Sequence, residues 1–106
     1  MPPPPTPLTG KQSRHLRALA HGLRPTVLIG KAGITDPLLS EIDAALLAHE
    51  LIKVKVASDA PLETKEAGAS LAEHSGGQVA QVIGHVVVLY RAHPKQPKIV
   101  LPRRNA

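Results

Sequence analysis

The sequence predicts an α/β fold in which three helices alternate with strands and the last two strands form a hairpin. Three segments repeat apolar residues at helical spacing, and four short apolar or alternating runs are typical of strands. Strands that alternate with helices favour a sheet joined by right-handed crossovers. The chain has 106 residues, which is enough for one domain with a single core.

The N-terminal part predicts a proline-rich lead followed by an amphipathic helix. Residues 1–7 (MPPPPTP) favour polyproline II or disorder, and we expect an inert tail rather than a docking peptide for a proline-recognition module. Thr9 is placed to cap the helix, and Gly22 is placed to end it. At 100° per residue one face is basic, and the other carries an apolar stripe of Leu16, Leu19, Ala20 and Leu23.

The middle of the chain predicts two strands around a second helix. Residues 26–29 (TVLI) are wholly apolar and suit a buried strand. Thr35 or Asp36 is expected to cap a helix to about residue 49, with Pro37 at its first helical position. Its buried side is expected to comprise Leu38, Leu39, Ile42, Ala45 and Leu46. Residues 51–58 alternate as in a half-buried strand, with apolar side chains on one face and Lys53 and Lys55 on the other.

The last third predicts a helix and a hairpin. Asp59 and Pro61 are expected to open the helix, which ends near Ser75. Its inner stripe is small (Ala67, Gly68 and Leu71), so we expect close packing on the sheet. Residues 78–91 contain two strands joined by a tight turn at Gly84-His85.

The net charge of +5 is divided into three blocks along the chain. Residues 1–35 and residues 74–106 each carry five lysines and arginines without an acidic residue, whereas residues 36–73 carry three lysines and all eight acidic residues. Such segregation of basic charge favours a polyanionic partner over a charge pattern that serves only solubility. Because Tyr90 is the only aromatic residue, base stacking on aromatic side chains is not expected to supply the affinity.

The glycine loop GKAG (30–33) lies between a predicted strand and a predicted helix. It matches neither a Walker loop nor a dinucleotide fingerprint, since Ala32 follows Gly30-Lys31 and a third glycine is missing. Backbone N–H groups in such a turn can contact a phosphate beside the positive end of the next helix. A plain structural turn is the alternative, and Lys31 favours phosphate contact.

Other kinds of site have little support in the sequence. The six histidines are scattered and no cysteine is present, so no metal site and no cofactor are expected. No G-x-S-x-G elbow or cysteine nucleophile suggests an enzyme. No apolar run approaches the length of a membrane span, and the N-terminus lacks a signal-peptide pattern. We therefore expect a cytoplasmic protein that does not engage membranes or small-molecule substrates.

Four segments of the chain together resemble the bacterial single-domain YhbY branch of the CRM (chloroplast RNA splicing and ribosome maturation) family. They are LTGKQSRHLRALAHGLRPTVLIGKAGIT, LLSEIDAALLAHELIKVKV, QVAQVIGHVVVLYR and KIVLPR. The resemblance implies one CRM-type domain over residues 8–104. Its implied fold is a two-layer α/β arrangement of a mixed four-stranded sheet and about three helices, similar to the C-terminal domain of translation initiation factor three.

The resemblance also implies RNA binding without catalysis, on precursors of the large ribosomal subunit. The family's G-x-x-G loop falls on Gly30, Lys31, Ala32 and Gly33, and we expect its basic surface on Lys11, Arg14, Arg17, His21 and Arg24. We expect a monomer that grips the RNA backbone and recognises RNA by shape more than by sequence. The rival hypothesis is a protein-interaction domain that docks on ribosomal proteins or assembly factors through its acidic middle segment.

Overall fold

A computed structural model describes residues 7–103 of the chain. The prediction of a disordered lead falls mostly on residues 1–6, which lie outside the described residues, as does Arg104 at the end of the predicted domain. Three helices and four strands alternate in the predicted order: α1 (Gly10–Ala20), β1 (Pro25–Ile29), α2 (Asp36–His49), β2 (Leu51–Val56), α3 (Thr64–Ser75), β3 (Gln78–Ile83) and β4 (Val86–Tyr90).

The four strands form one mixed sheet in the order β1-β2-β4-β3. Strands β1 and β2 are parallel and joined through α2, whereas β4 is antiparallel to both β2 and β3. The predicted α/β fold with a mixed four-stranded sheet and three helices is confirmed. The expected two layers are the sheet and the α2–α3 pair; α1 adds a partial third layer on the other face.

The alternation of side chains along the strands separates two cores. The larger core packs α2 and α3 against Val54, Val56, Val87 and Leu89 and against the inner residues of β1. The smaller core, on the opposite face, packs Leu16 and Ala20 of α1 against Leu51, Val88 and Tyr90. Because the smaller core uses only the ends of β2 and β4 nearest to Leu51 and Tyr90, α1 leaves the other end of this face uncovered.

Helix α1 begins with a complete capping box. The Thr9 hydroxyl accepts a hydrogen bond from the Gln12 N–H at 3.1 Å, and the Gln12 side chain accepts one from the Thr9 N–H. The apolar stripe predicted for this helix is only half correct. Leu16 and Ala20 are buried, but Leu19 and Leu23 remain 44% and 40% exposed. They border a groove that is also lined by Thr26, Leu51 and Ile99, so a gap remains between this end of α1 and the strands.

Helix α3 starts later than the sequence predicts. Residues 59–63 form turns, and the first helical residue is Thr64. Pro61 does not open the helix, because its ring packs against the loop at Gly33. The close packing of the helix on the sheet is confirmed: a Cβ at Gly68 would lie 3.2 Å from Val87 Cγ1 and 3.3 Å from Val79 Cγ2.

A buried carboxylate at Glu50 holds the segment after β4. Glu50 separates α2 from β2, is only 3% exposed, and has a backbone φ of 63°, which is rare for a residue with a side chain. Its carboxylate accepts hydrogen bonds from the His93 N–H at 2.8 Å, the Lys98 N–H at 2.8 Å and the Ile99 N–H at 2.9 Å. Residues 93–99 are thereby folded back onto the domain, and Ile99 joins the smaller core.

The environment of Glu50 favours its charged form. Burial by itself raises the pKa of this carboxyl, but the three N–H donors and the neighbouring His93 lower it, and the net pKa lies below its ordinary value. A depressed pKa means that the folded protein binds the proton more weakly than the unfolded chain does. The stability that Glu50 contributes is therefore complete above its unfolded pKa and is lost as the pH falls through the folded one.

Glu50→Gln should destabilise the fold at neutral pH. The amide keeps the size of the side chain, but its NH2 group cannot accept a hydrogen bond. At least one of the three N–H groups that now donate to the carboxylate would therefore face another donor. We expect a loss of about 2 kcal/mol and a fall in melting temperature of roughly 10 °C. Urea unfolding should show this loss shrinking as the pH falls below the unfolded carboxyl pKa of about 4.3, where the unfolded chain takes up the proton first, and disappearing below the lowered pKa of the folded carboxyl. Exposed Glu41 on α2 provides the control, and Glu41→Gln should change the unfolding free energy by less than about 0.5 kcal/mol. A loss that is the same at every pH would contradict this role of the Glu50 charge.

Candidate nucleic-acid interface

The glycine loop is a tight turn at the carboxyl end of β1. The Gly33 N–H donates to the Gly30 carbonyl oxygen at 3.0 Å, which closes the turn, and Lys31 and Ala32 are exposed at its centre. Within residues 7–103, the N–H groups of Lys31 and Ala32 have no hydrogen-bond partner in the protein. Two adjacent free N–H groups beside a lysine are suited to contact an anion.

The fold constrains the two glycines of the loop differently. Gly33 has a φ of +70°, and a Cβ at this position would lie 2.9 Å from Pro61 Cγ. Glycine at 33 is therefore required by the turn and by its packing, as the plain structural reading expects. Gly30 lies outside the left-handed region, and a Cβ there would meet nothing within 4 Å. The fold makes no demand for glycine at 30, and this position leaves space for a ligand to approach the backbone.

The start of α2 adjoins this loop. Thr35 caps the helix by accepting a hydrogen bond from the Leu38 N–H at 3.2 Å, and Pro37 occupies the first turn. The helix axis therefore directs its positive end towards the side of the molecule where the loop lies. This orientation adds to the favourable environment for negative charge that Lys31 provides.

The predicted basic residues of the first helix form one exposed face. All five, Lys11, Arg14, Arg17, His21 and Arg24, are exposed, and the last of them directly precedes β1. Among residues 7–103, the salt bridge between Arg91 and Asp43, with N···O 2.6 Å, is the only one between side chains, so this face lacks neutralising partners. Unpaired cations on adjacent turns repel each other, and a bound polyanion would relieve that repulsion.

The structure separates the helix from the loop by the length of one strand. Arg24 precedes β1 and Gly30 follows it, which places them roughly 16–20 Å apart at about 3.3 Å per residue. Lys53 and Lys55 lie between them on the same face of the sheet as α1, since they are in register with Val88 and Val86 of β4. The Lys53 ammonium donates to the Leu23 carbonyl oxygen at 3.1 Å, which places it at the end of α1.

One cationic residue of this surface was missed by sequence reasoning. The buried Gln12 side chain donates to the Pro102 carbonyl oxygen at 2.9 Å, so the end of the described chain lies against the first turn of α1. Exposed Arg103 directly follows Pro102, so this contact brings its backbone to the first turn of α1. No local signal predicts this, because the contact joins residues 90 positions apart.

Two other kinds of feature, a metal-ligand cluster and a membrane-spanning helix, are absent from the part of the chain that the structure describes. Across residues 7–103, no group of three or more His, Cys, Asp or Glu side chains is arranged to hold a metal ion. No helix in this range is long and apolar enough to cross a membrane.

A family model matches residues 8–91, which include every element of the fold and both parts of the candidate surface. The chain belongs to the CRS1/YhbY (CRM) domain family. The resemblance to this family is thus confirmed.

Individual relatives cover almost the whole chain. It is 48% identical to a protein of Haemophilus influenzae named "RNA-binding protein" over 93% of this chain and 99% of that one. It is 40% identical to "Probable RNA-binding protein YqeI" of Bacillus subtilis over 90% and 99% of the two chains. Among solved structures, the solution structure of the hypothetical protein SAV1595 from Staphylococcus aureus matches with a TM-score of 0.77 and 42% identity, covering 90% of this chain and 99% of that one.

The two loop glycines of this CRM domain should respond differently to alanine. Gly33→Ala should cost about 1–3 kcal/mol of unfolding free energy, because it combines an unfavourable φ with a contact against Pro61. Gly30→Ala should leave stability unchanged or raise it by up to about 1 kcal/mol, because the position is open and the unfolded chain loses freedom. Chemical denaturation of both variants measures the difference. Equal destabilisation by the two would show that the turn requires both glycines.

Proposed function

We propose that this CRM domain is a non-enzymatic RNA-binding protein that grips the RNA backbone. The observation that carries the proposal is the unneutralised basic face of α1, which continues over Lys53 and Lys55 to a loop with two free N–H groups. Phosphate contacts made by lysine, arginine and backbone N–H groups account for most non-specific affinity for nucleic acids. In this proposal Gly30, Lys31, Ala32 and Gly33 hold a phosphate, and Lys11, Arg14, Arg17, His21 and Arg24 extend the contact along the chain of the RNA.

The distribution of charge through the fold supports this orientation. Seven of the eight acidic residues are exposed, and those within elements lie on α2 and α3; the eighth is the buried Glu50. Helices α2 and α3 pack on the face of the sheet opposite to α1. A polyanion is therefore attracted to the α1 side and repelled from the other, which orients the protein during encounter.

The names of the relatives support RNA as the partner. The similar proteins of Haemophilus influenzae and Bacillus subtilis are both named as RNA-binding. The family resemblance adds the expectation that the RNA is ribosomal and that the protein assists assembly of the large subunit as a cytoplasmic monomer. Crosslinking the protein to RNA in growing cells and sequencing the attached fragments tests this part. Enrichment of messenger or transfer RNA in place of large-subunit precursors would overturn the ribosomal assignment and leave RNA binding intact.

A protein-interaction domain remains the second candidate because the α2–α3 surface is exposed and acidic. Glu41 and Glu73 lie on the two helices of this surface, remote in the fold from α1. If this surface carries the function, reversing both charges abolishes association with pre-ribosomal particles while binding of the purified protein to naked RNA stays unchanged. If RNA contact carries the function, the same variant remains on the particles.

Charge reversal on α1 should weaken RNA binding without unfolding the protein. Arg14→Glu and Arg17→Glu each replace an exposed cation, and each should weaken binding roughly tenfold or more at about 0.1 M salt. Lys65→Glu changes the net charge by the same amount at an exposed position of α3 and is the matched control. Fluorescence anisotropy with a ribosomal RNA fragment gives the affinities, and melting curves verify folding. If the α3 variant is weakened as much as the α1 variants, only net charge matters and the basic face is not the site.

The loop contributes a cation and an open backbone, and two variants separate these parts. Lys31→Ala should lower the slope of log affinity against log salt by roughly 0.7–0.9, as expected for one lost phosphate contact. Gly30→Asp should reduce affinity further and keep its effect at low salt, because a side chain then occupies the approach to the backbone. Its melting temperature should stay near that of the parent, since position 30 is open.

Gly30→Asp needs a control that adds the same charge elsewhere. Ala69→Asp places a carboxylate at an exposed position of α3 and should leave RNA affinity almost unchanged. Gly33→Asp is unsuitable as a probe of binding, because strain at φ +70° and the contact with Pro61 would unfold part of the population. A folded Gly30→Asp protein that binds RNA like the parent would show that no phosphate lies against this loop.

A further inference from the structure

One row of side chains crosses all four strands on the face of the sheet that α1 leaves uncovered. The register pairs Leu28 of β1 with Lys55 of β2, Lys55 with Val86 of β4, and Val86 with Ile83 of β3. Residues opposite each other on neighbouring strands point to the same face, so these four side chains form one line about 14 Å wide. We call it the open row.

The composition of the open row is unusual for a face that meets water. Leu28 is 58% exposed and Ile83 is 55% exposed, and Val86 is half-buried between the strands that carry Lys55 and Ile83. The positions of a sheet that face solvent normally carry polar residues, whereas three of the four positions in the open row are aliphatic. Single exposed apolar residues need no explanation, but a contiguous row of them marks an interaction surface.

The position of the open row indicates what covers it. Leu28 is two residues before Gly30, so the open row begins beside the glycine loop and lies between that loop and the basic face of α1. Lys55 lies within the row, and Lys53 lies next to it at the end of α1. Negative charge is therefore favoured along both sides of an apolar strip. A chain with apolar groups along its middle and regularly spaced negative charges fits this pattern.

We propose that the open row binds the bases and sugars of unpaired RNA nucleotides whose phosphates contact the loop and the lysines. This inference rests on the proposed function and specifies its ligand as single-stranded RNA. In a duplex the base faces are stacked, and the deep, narrow major groove keeps them from side chains on a flat sheet. Unpaired nucleotides expose their faces, and aliphatic side chains can bury them without selecting one base. Lys55 places its aliphatic stem along the row and its ammonium towards a phosphate.

Neighbouring residues of β3 provide a matched pair of variants. Ile83 belongs to the open row, whereas Val82 is in register with Val87 and points to the opposite face. Threonine keeps the branched shape that suits a strand and replaces apolar surface with a hydroxyl. Ile83→Thr and Leu28→Thr should each weaken binding of a short unstructured oligouridine roughly fivefold, since each removes apolar contact area. Val82→Thr should leave that affinity within about twofold, whatever small cost to stability it has.

The salt dependence and a duplex ligand distinguish this contact from charge. For the row variants, the slope of log affinity against log salt should equal that of the parent, because no phosphate contact is lost. A blunt RNA duplex of the same length should bind all four proteins alike. In methyl NMR spectra of the parent protein, the oligouridine should shift the signals of Leu28, Val86 and Ile83 and leave that of Val82 in place.

Three other outcomes would contradict this proposal, and each has a different meaning. If the row variants bind both RNAs like the parent while Lys31→Ala still lowers the salt slope, the open row is not in contact with RNA, and the proposed function stands. If the parent binds neither RNA at low salt, the proposed function fails and this inference fails with it. If the row variants instead abolish self-association in sedimentation experiments and leave RNA affinity unchanged, the row joins two copies of the chain, and our assignment is wrong.

Discussion

The hydrogen bonds to the Glu50 carboxylate are the interaction on which the α1 side of the molecule depends. The smaller core has few members, and Ile99 and Leu101 from the C-terminal segment complete it. As far as the structure describes it, residues 91–103, that segment contains no helix or strand. Its backbone is held by three N–H groups that donate to one buried carboxylate and by the bond from Gln12 to Pro102. A buried carboxylate without partners would be strongly unfavourable, whereas one with three donors is stable and specific in position. The strained φ of Glu50 places the carboxylate where all three can reach it.

The residue that follows β4 links the same junction to the other face. The Arg91 N–H donates to the Glu50 carbonyl oxygen at 2.8 Å, while its guanidinium bonds to the Asp43 carboxylate at 2.6 Å and to the Ser75 carbonyl oxygen at 2.9 Å. The end of α2, the end of α3 and the end of β4 are therefore joined at one point. Because Asp43 is largely exposed, the ion pair itself adds little free energy. Its value lies in fixing the relative positions of the elements that carry the two faces.

The sheet converts a charge pattern along the sequence into a charge pattern in space. The acid-free segments at both ends of the chain become α1 and the C-terminal segment, and the acidic middle becomes α2 and α3 on the opposite face. Mixed charges would give a protein that a polyanion could approach from any side, with weak attraction overall. Separation by one sheet gives a directional field instead. The lysines of β2 belong to the acidic middle by sequence, yet the alternation of the strand directs them to the basic face.

Most of the fold follows from patterns that are local in the sequence. The alternation of β2, the caps at Thr9 and Thr35 and the small inner stripe of α3 each determine their element through neighbouring residues. The run at residues 26–29 forms a strand as predicted, but the burial expected for it holds on one face only: Val27 and Ile29 are buried, whereas Leu28 is 58% exposed. The failures involve partners remote in sequence. Leu19 has helical spacing for burial but borders an open groove lined by Leu51 and Ile99, and Pro61 has the position of a helix start but packs on Gly33. Glu50 appears in the sequence as one more acid at a helix end, and only its N–H partners more than 40 positions away explain its burial. The open row likewise depends on the strand order β1-β2-β4-β3, which no single strand encodes.

The two glycines of the glycine loop differ in what the fold asks of them: Gly33 is constrained by it, and Gly30 is left open. Because β1 and β2 are parallel and β4 runs opposite to β2, three connections meet at one edge of the sheet: the glycine loop, residues 57–63, and the Gly84-His85 turn. Two hydrogen bonds join them there. The Ala57 N–H donates to the Ile29 carbonyl oxygen at 2.9 Å, and the Val56 N–H donates to the His85 carbonyl oxygen at 2.7 Å.

The second glycine of the loop is used by the fold, because Pro61 reaches Gly33 across this edge of the sheet. The first glycine has no such neighbour, and the N–H groups of Lys31 and Ala32 between them have no hydrogen-bond partner within residues 7–103. A motif of two glycines thus combines a fixed anchor with an open position, and under the proposed function the rigid anchor would lower the entropy lost when the open part orders around a phosphate.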